Sequence, residues 1–198
     1  MRQPVDLAHA CRLVNHGPTV LVSSAHGGRR NVMAAAWSMP VEFVPPRVAV
    51  VIDKRTFTRE LVAASGAFAL NVPGRALLDA TYTVGSLSAR ELPEGQDKFD
   101  RAGLTTFASP VLGLPLVEGC VAWLECRLIP ERHTEDAYDT CFAEVLSAQA
   151  DARVFERGHW SFQEGNAELH TLHHLGGGHF AWPRDSVRAR VLPAASEA

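Results

Sequence analysis

Residues Thr19–Val72 read TVLVSSAHGGRRNVMAAAWSMPVEFVPPRVAVVIDKRTFTRELVAASGAFALNV. Three short apolar runs, Thr19–Ala25, Asn31–Trp37 and Arg47–Asp53, are followed by a fourth, Ala67–Val72. Each has strand length and is bounded by Gly, Pro or a polar cluster. Between the third and the fourth, Thr58–Ser65 reads as a short helix that Gly66 ends at a left-handed stop. The loop His26-Gly27-Gly28-Arg29-Arg30 suggests a tight antiparallel turn, or a place where backbone comes close to a flat ligand. Arg29 and Arg30 read either as a preference for an anionic substrate or as two solvated loop cations.

The start of that helix gathers Lys54, Arg55, Thr56 and Thr58. Free N–H groups and the positive end of the helix dipole point outward there, so two hydroxyls and two cations make an anion site suited to phosphate. The plainer reading is a Thr cap beside two solvated cations. Upstream, Asn31–Trp37 carries little bulk, and Ala is a poor strand former. Either a neighbouring helix packs closely against this strand, or something planar lies on it. Ser38-Met39-Pro40 is expected to break it.

The chain has 198 residues, 46% hydrophobic and 21% charged, with a net charge of −3. That suits one soluble domain with a real core. No basic surface argues for nucleic acid, and no run approaches the roughly 20 apolar residues that span a bilayer. Met1–Val14 lacks a secretory signal, so the expected location is cytoplasmic. Cys11, Cys120, Cys126 and Cys141 form no C-x-x-C pair, and buried free thiols are expected.

Along the rest of the chain, Val5–Asn15 has helical spacing and Gly17-Pro18 ends it. Arg75–Thr83 reads as a helix with Leu77, Leu78 and Tyr82 inward. Gly85–Gly103 is a long polar connection, of the kind that serves function or covers something. Cys120–Ile129 and Asp139–Gln149 read as a hairpin linked by Pro130–Tyr138. The tail 184–198 is polar and loosely held, leaving 1–183 as one domain. About six strands with short turns imply a closed or partly closed antiparallel barrel.

Thr19–Trp182 resembles the flavin reductase-like family, the FMN-binding split-barrel group that includes flavoredoxin. The matching pieces are VLVSS, GxxNVMAAAWSMPV, PPRVAVVI, RTFTREL and SGAFALNVP, then DKF at Asp97–Phe99, LECRL at Leu124–Leu128 and HLGGGHF at His174–Phe180. The resemblance implies a mainly β, six-stranded antiparallel split barrel of Greek-key type, with short helices. It also implies a homodimer with one FMN per subunit near the interface. Asn31, Val32, Met33, Ala36, Trp37 and Ser38 would then run beside the flavin. Lys54, Arg55, Thr56 and Thr58 would hold the phosphate, and Asn71 and Lys98 would reach the cofactor.

By the same resemblance the protein is an NAD(P)H:flavin reductase, passing electrons through FMN to a free flavin or a partner monooxygenase. The alternative is a flavoredoxin-like electron carrier with no nicotinamide turnover of its own. No G-x-G-x-x-G opens a βαβ unit, so NADH or NADPH would stack on the flavin rather than fill a Rossmann site. His170, His173, His174 and His179 cluster near the C-terminus, with His159 upstream. His170 and His174 would share a helix face, which is metal-ligand spacing. A structural or substrate-side role, a bound metal and a solvated surface are the readings. No metal is assigned, and His174 and His179 are the catalytic candidates, able to tune a reduced flavin or meet a nicotinamide phosphate. Phe180 stands where the family often has Tyr.

Overall fold

The computed structural model describes residues 1–192. The elements are β1 (Arg2–Pro4), α1 (Leu7–Ala10), β2 (Val20–His26), β3 (Arg29–Ala35), β4 (Ser38–Phe43), β5 (Pro46–Val51), α2 (Phe57–Ser65), β6 (Ala67–Pro73), α3 (Leu78–Ser86) and α4 (Lys98–Arg101). There follow β7 (Thr106–Ala108), β8 (Pro115–Val117), β9 (Cys120–Ile129), α5 (Arg132–Tyr138), β10 (Thr140–Asp151), β11 (Phe155–Glu156), β12 (His159–Trp160), β13 (His173–Gly176) and β14 (His179–Ala181).

The main sheet runs β3-β2-β6-β9-β10-β5-β4, with β1 added on β10. Every pairing in it is antiparallel. Six strands, β2, β3, β5, β6, β9 and β10, form the barrel wall. Its ends are joined by continuity of the chain. β3 pairs with β2 up to Ala35, and after Ala36-Trp37 the same chain continues as β4 on β5. The Val51 N–H donates to the Trp37 carbonyl at 3.0 Å, which fixes that crossing. The result is a split barrel, and the β3–β4 passage lies at its seam.

Local sequence explains the main elements. β2 and β3 are joined by Gly27 (φ 58°) and Gly28 (φ 76°), the two left-handed positions that a tight two-residue hairpin demands. Thr56 caps α2 by accepting the Arg59 N–H, and Gly66 (φ 68°) closes it. β4 corrects the expected break at Ser38-Met39-Pro40. It is an edge strand with a register shift between Pro40 and Glu42, so the missing N–H of proline costs no ladder bond. The Pro130–Asp139 link contains α5 instead of a simple turn, and Val5–Asn15 shortens to α1 and a 3-10 turn at Cys11–Leu13.

β6 is buried along its whole length because both its faces are covered. Phe68, Leu70 and Val72 point into the barrel with Val22, Val50, Leu124, Cys126 and Val145. Ala67 and Ala69 face a second cluster with Leu21, Val32, Val84, Phe99, Leu116 and Trp123. That outer layer is the chain between β6 and β9, so the long polar connection contributes a buried Phe99 and a cover over the sheet. The four cysteines are free and buried. Residues 184–192 are exposed and carry no regular structure, and the remainder of the expected tail lies outside the described residues. No described helix is long and apolar enough to cross a membrane.

The β13–β14 hairpin rests on a histidine cluster. His16 Nε2 lies 2.9 Å from Thr171 Oγ1, and its ring sits 5.5 Å from His173 and 5.2 Å from Trp160. Burial, aided by the His173 charge, pushes the His16 pKa down to about 4, and burial lowers His173 as well. The unfolded chain therefore binds protons that the folded one refuses. The penalty is absent above pH ~6.5, grows as pH falls, and for His16 is complete near 4. Denaturant unfolding should show stability dropping over that window, by up to about 3 kcal/mol from His16. His16→Phe should flatten the slope, and an unchanged slope would refute this account.

Candidate functional site

The open edge of β3 faces a cleft of about 570 Å³. No described strand pairs with that edge, so its backbone donors and acceptors are presented to the cleft. Asn31, Met33 and Ala34 supply the wall. The first turn of α2 (Asp53 to Thr58) closes one end, and the segment Gly85–Glu91 with Lys98 forms the far side. A smaller cavity of about 150 Å³ adjoins it, with Ala34, Gly85 and Ser86 lining both. The spare side chains of β3 let α3 come close, and a Cβ on Gly85 would stand 3.1 Å from the Ala34 methyl.

The helix end presents donors that the chain itself does not use. The Phe57 and Thr58 amides open α2 and find no acceptor among the described residues. Thr58 Oγ1 accepts from Asn31 Nδ2 at 2.9 Å, leaving its own proton free. The Asn31 Oδ1 atom is buried without a partner among the described residues, and whichever way the amide is turned one terminal atom stays unsatisfied there. Lys98 Nζ donates to the Val84 carbonyl at 2.9 Å, and burial pushes its pKa down to about 8. Arg55 forks onto Asp53 with bonds of 2.7–3.2 Å, and that guanidinium holds the Asp53 carboxyl at about 2. Arg90 pairs with Glu60 at the cleft mouth. Thr56 spends its hydroxyl on the cap and on the Asp53 carbonyl, 2.8 Å away.

Thus Asn31, Met33, Arg55, Thr56, Thr58 and Lys98 come together in one cleft. Ala36 and His174 meet in the smaller cavity beside it. Other expected site residues stand elsewhere. Val32 is packed into the outer core. Trp37, 75% exposed, and Ser38 lie past the seam against Met39 and Val50. Lys54 turns away to the Asp136 carbonyl and Asp139. Asn71 is buried in the sheet, where Nδ2 donates to the Leu21 carbonyl (2.9 Å) and Ser23 Oγ (3.0 Å) and Oδ1 accepts the Val117 N–H (2.8 Å). Two of these bonds tie β6 to β2 and the third holds β8 over them. His179 is exposed on β14 and lines neither space. His170 follows a 3-10 turn and bonds to the Gln163 carbonyl and Asn166, so it shares no helix face with His174. No metal-binding group of His, Cys, Asp and Glu occurs among the described residues.

Arg29 is exposed and lies 4.1 Å over the Phe57 ring, while Arg30 pairs with Asp97 and Asp100. Both border a separate groove on the hairpin side. Sequence reading missed Asp53, Thr81, Gly85, Ser86 and Arg90. Only the length of the polar connection signalled that part of the site. Tyr82, expected inward, is 48% exposed and meets Phe180 edge-on at 6.3 Å.

The sequence profile of the flavin reductase like domain matches residues 12–168. The chain belongs to the flavin reductase-like family. The uncharacterised protein YddH of Escherichia coli is 54% identical over 189 residues, spanning 94% of this chain and 97% of that one. A crystal structure described as an FMN-binding domain of a flavin reductases-like enzyme from Shewanella baltica superposes with a TM-score of 0.90 at 44% identity, covering 96% of this chain and 98% of that one. Flavoredoxin of Desulfovibrio vulgaris shares the fold at 24% identity, with a TM-score of 0.69 and 91% of each chain covered.

The reassignment of Asn71 is testable. Asn71→Ala should destabilise the protein by about 2–4 kcal/mol, because buried partners such as the Val117 N–H lose their bonds. Denaturant unfolding measures this, and a loss below about 0.5 kcal/mol, the range of a neutral surface change, would contradict a structural role.

Proposed function

We propose that the protein binds FMN in this cleft and is an FMN-dependent oxidoreductase, an NAD(P)H:flavin reductase that passes electrons to a free flavin or a partner monooxygenase. The observation that carries the reading is one groove with two chemically different ends. One end is a helix start with two unclaimed amides and a free hydroxyl proton. The other is the open edge of a strand with small side chains.

The residues present fit a phosphorylated flavin. Thr58 and the Phe57 and Thr58 amides would hold the phosphate, and Arg55 would add charge at the mouth. The unsatisfied amide atom of Asn31 and the edge of β3 would meet polar atoms of the ring system. Lys98 would place a cation against it from the outer layer. When bound, FMN supplies hydride and single-electron transfer, and the chain binds, orients and shields it. His174 borders the space next to the ring wall and suits contact with a second substrate.

The description of the Shewanella relative supports FMN here, and the name flavoredoxin accords with a flavin. A structure titled nitrilotriacetate monooxygenase component B, from Bacillus cereus, shares the fold at 21% identity and accords with a partner monooxygenase. A homodimer is part of the proposal. Trp37, Met39, Phe43 and Val44 expose large apolar side chains along and beside β4, as interface segments do. Sedimentation as a monomer at micromolar concentration would remove that part. Four buried free thiols accord with work in the reducing cytoplasm.

Protein loaded with FMN and mixed anaerobically with NADH or NADPH should lose its visible flavin absorbance within seconds. Reduction only by a donor protein would favour the electron-carrier reading instead. Thr58→Ala should weaken FMN binding by about 1.5–3 kcal/mol, the worth of a hydrogen bond to a charged group. Unchanged FMN affinity in that variant would overturn the phosphate assignment.

A further inference from the structure

The β13–β14 hairpin is attached to the barrel by few ties. It forms its own two-stranded sheet, with no ladder to the main sheet, and most of its residues are exposed. The chain before it is anchored, since Thr171 bridges Gly74 and the Thr19 N–H donates to the Leu172 carbonyl. Beyond that point the His174 N–H donates to Thr19 Oγ1 at 3.1 Å, Phe180 meets Tyr82, and Arg75 lies 4.8 Å over the Trp182 ring. The remaining tie is a pair of histidines at the root of the hairpin. Thr171 Oγ1 stands between His16 Nε2, at 2.9 Å, and His173 Nε2, at 3.5 Å, and the two rings are 5.5 Å apart. Burial disfavours a charge on either ring, and a charge on His173 disfavours one on His16. The surroundings supply no counter-charge. From the β12 side come the Trp160 and Phe162 rings, with His170 beyond Phe162. Arg12, on the His16 segment, turns to the Gly158 carbonyl, and the Gly17 carbonyl faces His173. No carboxylate acts on either histidine among the described residues.

We propose that His16 and His173 form a proton-operated latch: when they take up protons the β13–β14 hairpin lifts from the barrel while the barrel stays folded. Lifting separates two like charges and returns both rings to water. A local opening breaks only the ties beyond Leu172, so it costs less than global unfolding, and the same protons act on the hairpin first. His174 and Phe180 wall the smaller cavity beside β3, so lifting exposes the flank of that cavity to solvent. Access to this side of the cleft thereby becomes pH-dependent. The latch is independent of what the cleft binds.

The test is amide hydrogen exchange on the full chain, read residue by residue by NMR at about pH 7.5 and about pH 5.5. Rates are expressed as protection factors, so that the intrinsic pH dependence of exchange cancels. A histidine that titrates near 6.5 in the lifted form and stays neutral in the closed form favours lifting about tenfold between those two pH values. The His174 amide, which bonds across to Thr19, should therefore lose at least about tenfold in protection, and about a hundredfold where both rings titrate. At both pH values it should be less protected than the amides of β9 and β10, and its protection should respond little to low denaturant, as a local opening does. His16→Gln and His173→Gln each remove one titrating ring and keep an N–H donor, and each should cut the pH effect by about tenfold. With two variants, one that fails to fold leaves the other to decide. The proposal is overturned if the His174 amide exchanges only with the β9 and β10 amides, if its protection does not change with pH, or if both variants keep the full pH effect.

Discussion

A single hydrogen bond joins the two halves of the groove: Asn31 Nδ2 to Thr58 Oγ1, 2.9 Å, both residues buried. Asn31 belongs to an edge strand and Thr58 to the first turn of the helix that crosses to the next barrel strand. The bond fixes a row of unpaired strand amides beside a helix start whose own amides are unpaired. Neither feature is unusual alone, since every sheet has edges and every helix has an N-terminus. Their juxtaposition follows from the split. Because β3 leaves β2 and continues as β4 on the opposite end of the sheet, no further strand among the described residues covers its edge.

The charges around the groove are largely partnered within the chain. Asp53 holds Arg55, Glu60 holds Arg90, and Asp136 and Asp139 hold Lys54. Among the described residues Lys98 has a neutral carbonyl as its partner, and burial lowers its pKa. An anion in the groove would therefore meet chiefly neutral donors and one buried ammonium. The exchangeable surface pairs add little, since exposed ion pairs are worth at most about 1 kcal/mol. Specificity for a mononucleotide would come from shape and from amide geometry more than from net charge.

Much of the fold could be read from the chain. The paired glycines at 27 and 28, the alternation in β9 and β10 and the Thr56–Gly66 caps each dictate their element by local chemistry, and those elements fall within a few residues of expectation. Expectation failed where tertiary context overrides local preference. Pro40 looks like a terminator but sits on an edge where its missing N–H is harmless. Asn71 looks like a site residue because it lies in a family motif, yet two of its bonds go to β2 and the third to β8, none to the cleft. Lys54 and Thr58 are equivalent in a linear reading, and only the rotation of the chain into α2 sends one away and the other inward. Thr81, Gly85 and Arg90 left no local signal, because their role depends on how the outer layer folds back on β3.

Amide NMR with and without the phosphate tests the central claim most directly. Adding FMN should shift the Phe57 and Thr58 amides together with those of Asn31–Ala34. Riboflavin, which lacks the phosphate, should shift the β3 amides and leave those of Phe57 and Thr58 in place. Equal shifts at the helix start with both ligands, or shifts confined to another part of the chain, would contradict a groove that reads phosphate at one end and ring at the other.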